Sequence, residues 1–208
     1  MTTCSDATAG YLRPDARGWR CDPAPAEATR FHRSLPGYRP TALVESPPLA
    51  SELGLARLFV KDESSRLGLP AFKALGASWA IHQVLTARVL GPGVAGPGSL
   101  EGLRELASRA SGVRLVTATD GNHGRAVGRF ARLLGVSAEI YVPRVIAELD
   151  RSVVDAIRAE GARVVTVPEA YDATVATAAR AAAQDPEAEL VQDTAWPGYE
   201  TVPATIVD

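Results

Sequence analysis

The segment LPAFKALG, residues 69–76, contains a lysine within an otherwise apolar run. The chain has 22 lysine and arginine residues in total, but only Lys61 and Lys73 are lysines. A primary amine can form an imine with an aldehyde, whereas a guanidinium cannot. Lys73 is therefore a candidate for imine chemistry. The sequence leaves open a simpler interpretation, in which the lysine stem lies along an apolar surface with its charged head in water.

The segment TDGNHGR, residues 119–125, lies between an expected strand and an expected helix. Backbone amides and the positive end of the dipole at a helix start favour an anion or an electron-rich oxygen. Gly121 and Gly124 would allow the backbone to turn and to approach a ligand closely, and Asn122 offers both a donor and an acceptor. The alternative is a turn capped by Asp120 and Asn122 without any ligand.

A second acid, Asp193, lies at the end of the last strand that the pattern predicts. If the strands are ordered as expected, Asp193 and Asp120 face the same crevice. Two acids and Lys73 would then suit proton transfer beside an imine, although a carboxylate near a helix start can also be only a cap. His123 is more typical of a cap or a packed imidazole than of a base. The sequence shows no cluster of metal ligands, so no metal is expected.

A regular alternation of strands and helices would position these residues. Strands that alternate with helices of this length imply right-handed crossovers and a parallel sheet. The sequence therefore predicts an α/β fold with three layers, in which helices cover both faces of the sheet and ligands bind beyond the carboxyl ends of the strands. The expected strands lie within 55–63, 113–119, 138–143, 162–168 and 188–194, the expected helices within 71–89, 123–135, 147–161 and 169–184, and a glycine- and proline-rich loop at 90–99.

The composition is that of a globular protein, with 46% hydrophobic and 22% charged residues over 208 residues. The net charge of -2 provides no broad basic field for nucleic acid or for an anionic membrane. No segment approaches the roughly 18 apolar residues of a membrane span and no signal sequence is recognisable, so we expect a cytoplasmic protein. Cys4 and Cys21 are expected to be free thiols within an irregular N-terminal arm, residues 1–40.

Three longer segments follow one family pattern in order. They are FHRSLPGYRPTALVESPPLASELGLARLFVKDESSRLGLPAFKALGASWAI at 31–81, TATDGNHGRAVGRFARLLG at 117–135, and LVQDTAWPGYETVPATIV at 190–207. These segments resemble the diaminopropionate ammonia-lyases, which are fold-type II pyridoxal-phosphate enzymes. Related serine and threonine dehydratases usually carry a serine where this chain has Asp120, so the resemblance separates the two groups.

The resemblance implies a lyase that eliminates the β-amine of 2,3-diaminopropionate and releases pyruvate and ammonia. Lys73 would bind pyridoxal 5'-phosphate through an imine. Asp120, together with Lys73, would remove the Cα proton, and Asp193 would lie near the distal amine of the substrate.

The resemblance also implies the contacts of the cofactor and the partners of the chain. Asn122 would form a hydrogen bond with the 3' oxygen of pyridoxal phosphate, and Gly121 and His123 would lie beside the cofactor. The expected ligand is a small amino acid, and the expected assembly is a homodimer.

Members of this family are about twice as long as this chain, which implies that half of their large domain is absent here. Residues 41–90 would form the first part of that large domain, and residues 91–208 a smaller domain of alternating strands and helices. The absent half would hold the phosphate-cradling loop and the partner of the pyridine nitrogen. We therefore expect exposed apolar faces within 41–85 and a complementing C-terminal half. The alternatives are an inactive remnant that serves as a binding module, and an enzyme that resembles the serine and threonine dehydratases.

Overall fold

The computed structural model describes Gly18, Pro23 and residues 25–207. Helices and strands alternate through most of this part of the chain. The elements are α1 (Ala26–Arg33), β1 (Leu43–Glu45), α2 (Pro47–Glu52), β2 (Phe59–Lys61), α3 (Lys73–Leu90), α4 (Leu100–Ser108), β3 (Arg114–Ala118), α5 (Asn122–Leu134), β4 (Ser137–Pro143), α6 (Arg144–Leu149), α7 (Arg151–Ala159), β5 (Arg163–Val167), α8 (Tyr171–Ala183), β6 (Ala188–Leu190) and α9 (Thr201–Val207).

Strands β3 to β6 form one parallel sheet in the order β5-β4-β3-β6. From β3 the chain moves outward through β4 to β5, and α8 then carries it back to β6 on the other side of β3. The direction of winding therefore reverses between β3 and β6. Ligands of open parallel sheets bind beyond the carboxyl ends of the strands at such a reversal.

Helices cover both faces of this sheet, as the sequence predicts. On β3, Leu115 points into the core that contains α5, while Val116 and Ala118 point into the core that contains α8. The alternation follows from the two-residue period of a strand. Behind α5, the helices α1, α3, α4 and α7 complete the larger core.

Helix α5 lies close to the bounds that the sequence predicts. Its apolar side chains recur at helical spacing and are buried, as with Val127, Phe130 and Leu134. The helix ends at Gly135, which adopts the left-handed conformation (φ 74°) and donates its N–H to carbonyls of the last turn. Glycine adopts this conformation without steric cost, which explains the stop.

Two sequence predictions of local structure are wrong, and one helix was not predicted. The single helix expected at 147–161 is interrupted at Asp150, whose extended backbone (φ -142°) separates α6 from α7 and whose carboxylate accepts the N–H of Ser152. The arm expected to be irregular contains α1, which buries Phe31 against α3. Helix α4 was not expected, although it buries leucines at helical spacing. The rest of the arm, with both cysteines, lies outside the described residues.

Strands β1 and β2 form a separate antiparallel ribbon, which together with α2 lies apart from the main sheet. All six strand residues of the ribbon are exposed, including Leu43 at 65% and Phe59 at 47%. The expected exposure of apolar faces within 41–85 is therefore confirmed for the ribbon. The same expectation is wrong for α3, because this helix packs against α5 and α9 and shares their core. Within the described residues, no helix has the length and apolar character needed to cross a bilayer.

Candidate active site

Lys73 is the first residue of α3, and its side chain reaches the reversal point of the sheet. The Nζ atom lies 2.7 Å from Oδ2 of Asp193, to which it donates a hydrogen bond. The Lys73 side chain is 31% exposed, while that of Asp193 is 12% exposed. The amine is therefore accessible at one side and held by an acid at the other.

The second lysine, Lys61, has a different setting. It lies on β2, is exposed, and donates to the carbonyl oxygen of Thr41 at 2.5 Å. Its nearest acid, Glu63, is 4.0 Å away. Lys61 fits the simple interpretation of a solvated lysine, which Lys73 does not.

Asp120 and Asp193 follow the carboxyl ends of β3 and β6, which are neighbours in the sheet. The structure thus brings both acids to one crevice, as expected from the strand order. Asp193 is nearly buried, whereas Asp120 is exposed. Burial disfavours the charged form of Asp193, but the hydrogen bond and the charge of the Lys73 ammonium act against burial, and the pKa of Asp193 lies below the usual range.

The turn between β3 and α5 is built around a residue that the sequence did not indicate. The hydroxyl of Thr119 accepts the backbone N–H groups of Gly121 at 2.9 Å and of Gly124 at 3.0 Å. Thr119 therefore satisfies the start of α5, and neither Asp120 nor Asn122 forms a side-chain cap there. The capping alternative is wrong for both residues, and both side chains are exposed at the crevice.

The two glycines of the turn have separate functions. Gly121 adopts φ 153° and ψ -75°, a conformation that favours glycine, and so permits the sharp turn into α5. Gly124, which we expected to let the backbone approach a ligand, also has a packing role. A Cβ atom at Gly124 would lie 2.4 Å from Thr119 and 2.6 Å from Ile140, so this glycine allows α5 to pack closely on the sheet.

His123 lies beneath the crevice and is 3% exposed. Its Nε2 atom is 2.7 Å from the carbonyl oxygen of Val191, so Nε2 carries the proton and Nδ1 is a bare acceptor. Nδ1 faces Asp193 Oδ2 at 3.8 Å and has no hydrogen-bond partner among the described residues. Burial lowers the pKa of His123, although Asp193 acts to raise it. The imidazole is thus packed and neutral rather than a solvated base.

A buried glutamine, Gln192, is a further site residue that sequence reasoning missed. Its Oε1 accepts the N–H of Ala118 and the hydroxyl of Thr117, both at 2.9 Å. Its Nε2 donates to Oδ1 of Asp193 at 3.0 Å and to the hydroxyl of Tyr171 at 3.3 Å. The available signal was a polar residue inside a buried strand, since buried amides need partners.

Two tyrosines complete this edge of the crevice. Tyr171 is the first residue of α8, and burial together with Asp193 and Asp120 raises its pKa, so the phenol keeps its proton. Tyr199 accepts the backbone N–H of Gln192 at 2.9 Å and donates to the carbonyl oxygen of Leu190 at 2.8 Å. The loop after β6 is thereby tied back to its own strand.

A cavity of about 250 Å³ opens beside Lys73, between the start of α3 and α9. Its wall includes Phe72, Gly76 and Ile206. A Cβ atom at Gly76 would lie 2.6 Å from the carbonyl oxygen of Ile206, so only glycine allows α9 to approach α3 this closely. The described residues contain no group of three histidine, cysteine, aspartate or glutamate side chains that could hold a metal ion.

Comparison with known proteins points to one group of enzymes. Residues 34–208 match the family described as pyridoxal-phosphate dependent enzyme. The diaminopropionate ammonia-lyase of Escherichia coli (strain K12) is 41% identical over 183 residues, which are 86% of this chain and 43% of that protein. That of Salmonella typhimurium is 38% identical, over 87% of this chain and 44% of the relative. The chain thus spans less than half the length of these relatives.

Solved structures give the same result. The chain is similar to Escherichia coli diaminopropionate ammonia lyase in its apo form, with a TM-score of 0.72 and 38% identity over 88% of this chain and 49% of that chain. It is similar to the same enzyme in complex with D-serine, with a TM-score of 0.74 and 37% identity over 88% of this chain and 46% of that chain. A pyridoxal 5'-phosphate-dependent aspartate racemase, at 19% identity and a TM-score of 0.52, shares the fold.

Proposed function

Because this chain belongs to the family of pyridoxal-phosphate-dependent enzymes, we propose that it acts as a diaminopropionate ammonia-lyase or as the N-terminal part of one. The reaction would eliminate the β-amine of 2,3-diaminopropionate and release pyruvate and ammonia. The observation that carries this proposal is the approach of the Lys73 amine to Asp193 at the reversal point of the sheet. The similarity to diaminopropionate ammonia-lyases supports the choice of substrate.

The crevice residues fit the pyridine end of the cofactor. The Lys73 amine is partly exposed, and the Asn122 side chain is exposed at the start of α5, where it would bind a ring oxygen. Gly121 and His123 would border the ring. When bound, pyridoxal phosphate would supply an aldehyde for Lys73 and a conjugated ring that holds the electrons left at the substrate Cα.

The two acids, Asp120 and Asp193, would accept a proton and bind a cationic group of the substrate. Asp120 is exposed at the mouth of the crevice, where it and Lys73 could accept the Cα proton. Asp193 stays anionic in the structure because its pKa is lowered, so it could bind the distal ammonium group of the substrate. A carboxylate can both bind a cationic amine and accept its proton, which a hydroxyl does poorly.

The phosphate end of the cofactor would need ligands beyond the N–H groups of Gly121 and Gly124. At the start of α5 the N–H groups of Gly121 and Gly124 already bind Thr119, so they cannot also cradle a phosphate in this arrangement. We therefore propose a complementing C-terminal half that supplies the phosphate site. The exposed apolar ribbon and the length of the relatives support this partner. Homodimer formation and a cytoplasmic location remain predictions, which sedimentation and cell fractionation can test.

The first test is covalent labelling. We expect incubation with pyridoxal phosphate followed by borohydride to add the cofactor mass at Lys73 in the natural chain and in Lys61→Arg, and not in Lys73→Arg. The two variants make the same chemical change at the two lysines, so they form a matched pair. Equal labelling of Lys61 and Lys73 would contradict the imine assignment.

The second test is turnover with the complementing half present. Ammonia and pyruvate should form from 2,3-diaminopropionate, and Lys73→Arg should lower the rate by roughly three orders of magnitude. No turnover by a labelled, folded complex would favour the alternative of a binding module. This second candidate is supported by the shortage of phosphate ligands at the start of α5. Faster turnover of serine or threonine would favour the dehydratase alternative.

A further inference from the structure

The side-chain amide of Gln192 has all of its hydrogen-bonding capacity in use. It accepts two hydrogen bonds from the end of β3 and donates one each to Asp193 and Tyr171. The residue is fully buried, so water does not compete for these groups. An amide held at four points has one orientation and one rotamer.

The backbone decides which way this amide faces. Ala118 presents an N–H group, which can only donate, so the amide oxygen of Gln192 must face β3. The NH₂ group must then face the crevice. A flipped amide would place two donors against each other at Ala118, and it would leave an oxygen facing the anionic Asp193.

This orientation divides the two oxygens of Asp193 between separate functions. Oδ1 accepts from Gln192, while Oδ2 accepts from Lys73 and faces His123. We propose that Gln192 is a positioning residue that clamps Oδ1 of Asp193 to β3 and thereby directs Oδ2 to the reacting amine. The consequence for catalysis rests on the proposed function, but the clamp itself does not.

The second N–H of the amide gives the clamp a further effect. It donates to the hydroxyl oxygen of Tyr171, which is on α8. The phenol proton of Tyr171 is then free to point away from Gln192. One buried amide thus ties together the ends of β3 and β6 and the start of α8, which are the three elements on this side of the crevice.

Chemical labelling of Lys73 tests the clamp without cofactor or turnover. Reductive methylation with formaldehyde, followed by mass spectrometry, gives the labelling of Lys73 relative to Lys61 in the same molecule. We expect Gln192→Leu to raise this ratio by roughly three- to tenfold, because a released Asp193 pairs less well with the amine. Asp193→Asn should raise the labelling ratio by a similar factor. When Gln192→Leu is combined with Asp193→Asn, the ratio should be no higher than in Asp193→Asn alone.

The double variant separates positioning from general support. If Gln192 only supports the fold, its loss would loosen the crevice and raise labelling equally in both backgrounds. An unchanged ratio in Gln192→Leu, or an additive increase in the double variant, would overturn the proposal. Glu105→Gln, an exposed change on α4 that contacts neither Gln192 nor Asp193, is the control, and we expect its labelling ratio to remain unchanged.

Gln192→Glu provides a second test, which preserves the contacts with β3. Its carboxylate can still accept from Ala118 and Thr117, but it places an oxygen against Asp193. We expect the melting temperature of Gln192→Glu to lie below that of the natural chain at pH 8, where the new carboxylate and Asp193 are both charged. At pH 5 the two carboxylates share one proton, so the new side chain can donate a hydrogen bond to Asp193 as the amide does. The melting temperature should then approach that of the natural chain. The other titratable groups around Asp193 are Lys73, His123, Asp120, Tyr171 and Tyr199, and all five are unchanged in the variant. If the melting temperature of Gln192→Glu were lowered equally at pH 8 and pH 5, the proposal that the amide NH₂ group faces Asp193 would be overturned.

Discussion

The imidazole of His123 shows how much of this site is set by single hydrogen bonds. A carbonyl oxygen at Val191 fixes the tautomer, and burial keeps the ring neutral, so a bare acceptor faces Asp193. A neutral ring here does not compete with Lys73 for the charge of Asp193. The anion is therefore available to an ammonium group, first that of Lys73 and, in the proposed reaction, that of the substrate.

We predict that His123 keeps its proton on Nε2 and titrates below its ordinary value of 6.5. Asp193→Asn should lower the pKa of His123 further, because the nearby carboxylate acts to raise it. Nitrogen-15 NMR of the imidazoles would measure both tautomer and pKa. His82, which hydrogen-bonds the carbonyl oxygen of Pro97 and is distant in sequence from Asp193, serves as an internal control.

A rise of the His123 pKa in Asp193→Asn would contradict this account. The lowered pKa also has a consequence for stability. Below pH 6.5 the unfolded chain binds a proton at His123 that the folded chain does not, so stability should fall as the pH decreases through this range.

At the scale of residues, the sequence indicated the groups that lie at strand ends and missed those that connect them. Asp120 and Asp193 could be placed together because parallel strands end at one edge of a sheet. That argument does not place Lys73, since β2, the strand before α3, lies outside the parallel sheet. The functions of Thr119 and Gln192 could not be predicted, since each depends on which backbone groups the fold brings within 3 Å. Capping by Asp120 was a reasonable expectation that Thr119 made unnecessary.

At the scale of elements, α5 and α7 are joined by a buried carboxylate. Glu160, at the end of α7, is 3% exposed and accepts from Arg129 at 2.5 and 2.7 Å and from Arg132 at 2.8 Å. The Arg129 guanidinium outweighs burial, and with help from Arg132 it lowers the pKa of Glu160 to about 2. This contact holds α5, and hence the turn at its start, in place.

We predict that Glu160→Gln lowers the free energy of unfolding by about 2 to 3 kcal/mol at pH 7. The folded pKa is depressed from an ordinary value of 4.5, so the contribution is complete above pH 4.5 and is lost as the pH falls toward 2. Urea unfolding at pH 7 and pH 2.5 would show the difference between the two chains shrinking. Glu105→Gln, an exposed change on α4, should cost less than about 0.5 kcal/mol. An equal loss at both pH values would contradict this assignment.

Errors in the predicted elements have two physical origins. The pattern at 147–161 has a helical period throughout, but the side chain of Asp150 competes for the backbone and restarts the helix. Helices α1 and α4 are short, so each provides only about two turns of period for recognition. The longer elements, α3, α5 and α8, were predicted correctly because their apolar spacing extends over several turns.

At the scale of the whole molecule, a sheet with a well-packed core on each face lies beside an uncovered ribbon. The sheet and its helices bury their apolar faces, whereas Val44 and Val60, which pair across the ribbon, are 49% and 46% exposed. Exposed apolar area of this kind is typical of a surface that contacts another polypeptide. The fold class could be predicted from the alternation of elements, but the position of the ribbon could not, because its strands are short and their apolar residues show no buried face.

We predict that Val44→Thr combined with Val60→Thr changes the unfolding free energy of the isolated chain by less than about 1 kcal/mol. The reason is that about half of each of these side chains stays exposed to water in the folded chain. The same double change should reduce binding of a hydrophobic dye and should weaken a complex with the proposed complementing half. Val142→Thr, at a fully buried position of β4, is the matched control and should cost about 2 kcal/mol, since it buries a hydroxyl. A ribbon variant as unstable as Val142→Thr would mean that the ribbon is already packed in the isolated chain, and it would remove the structural support for a complementing half.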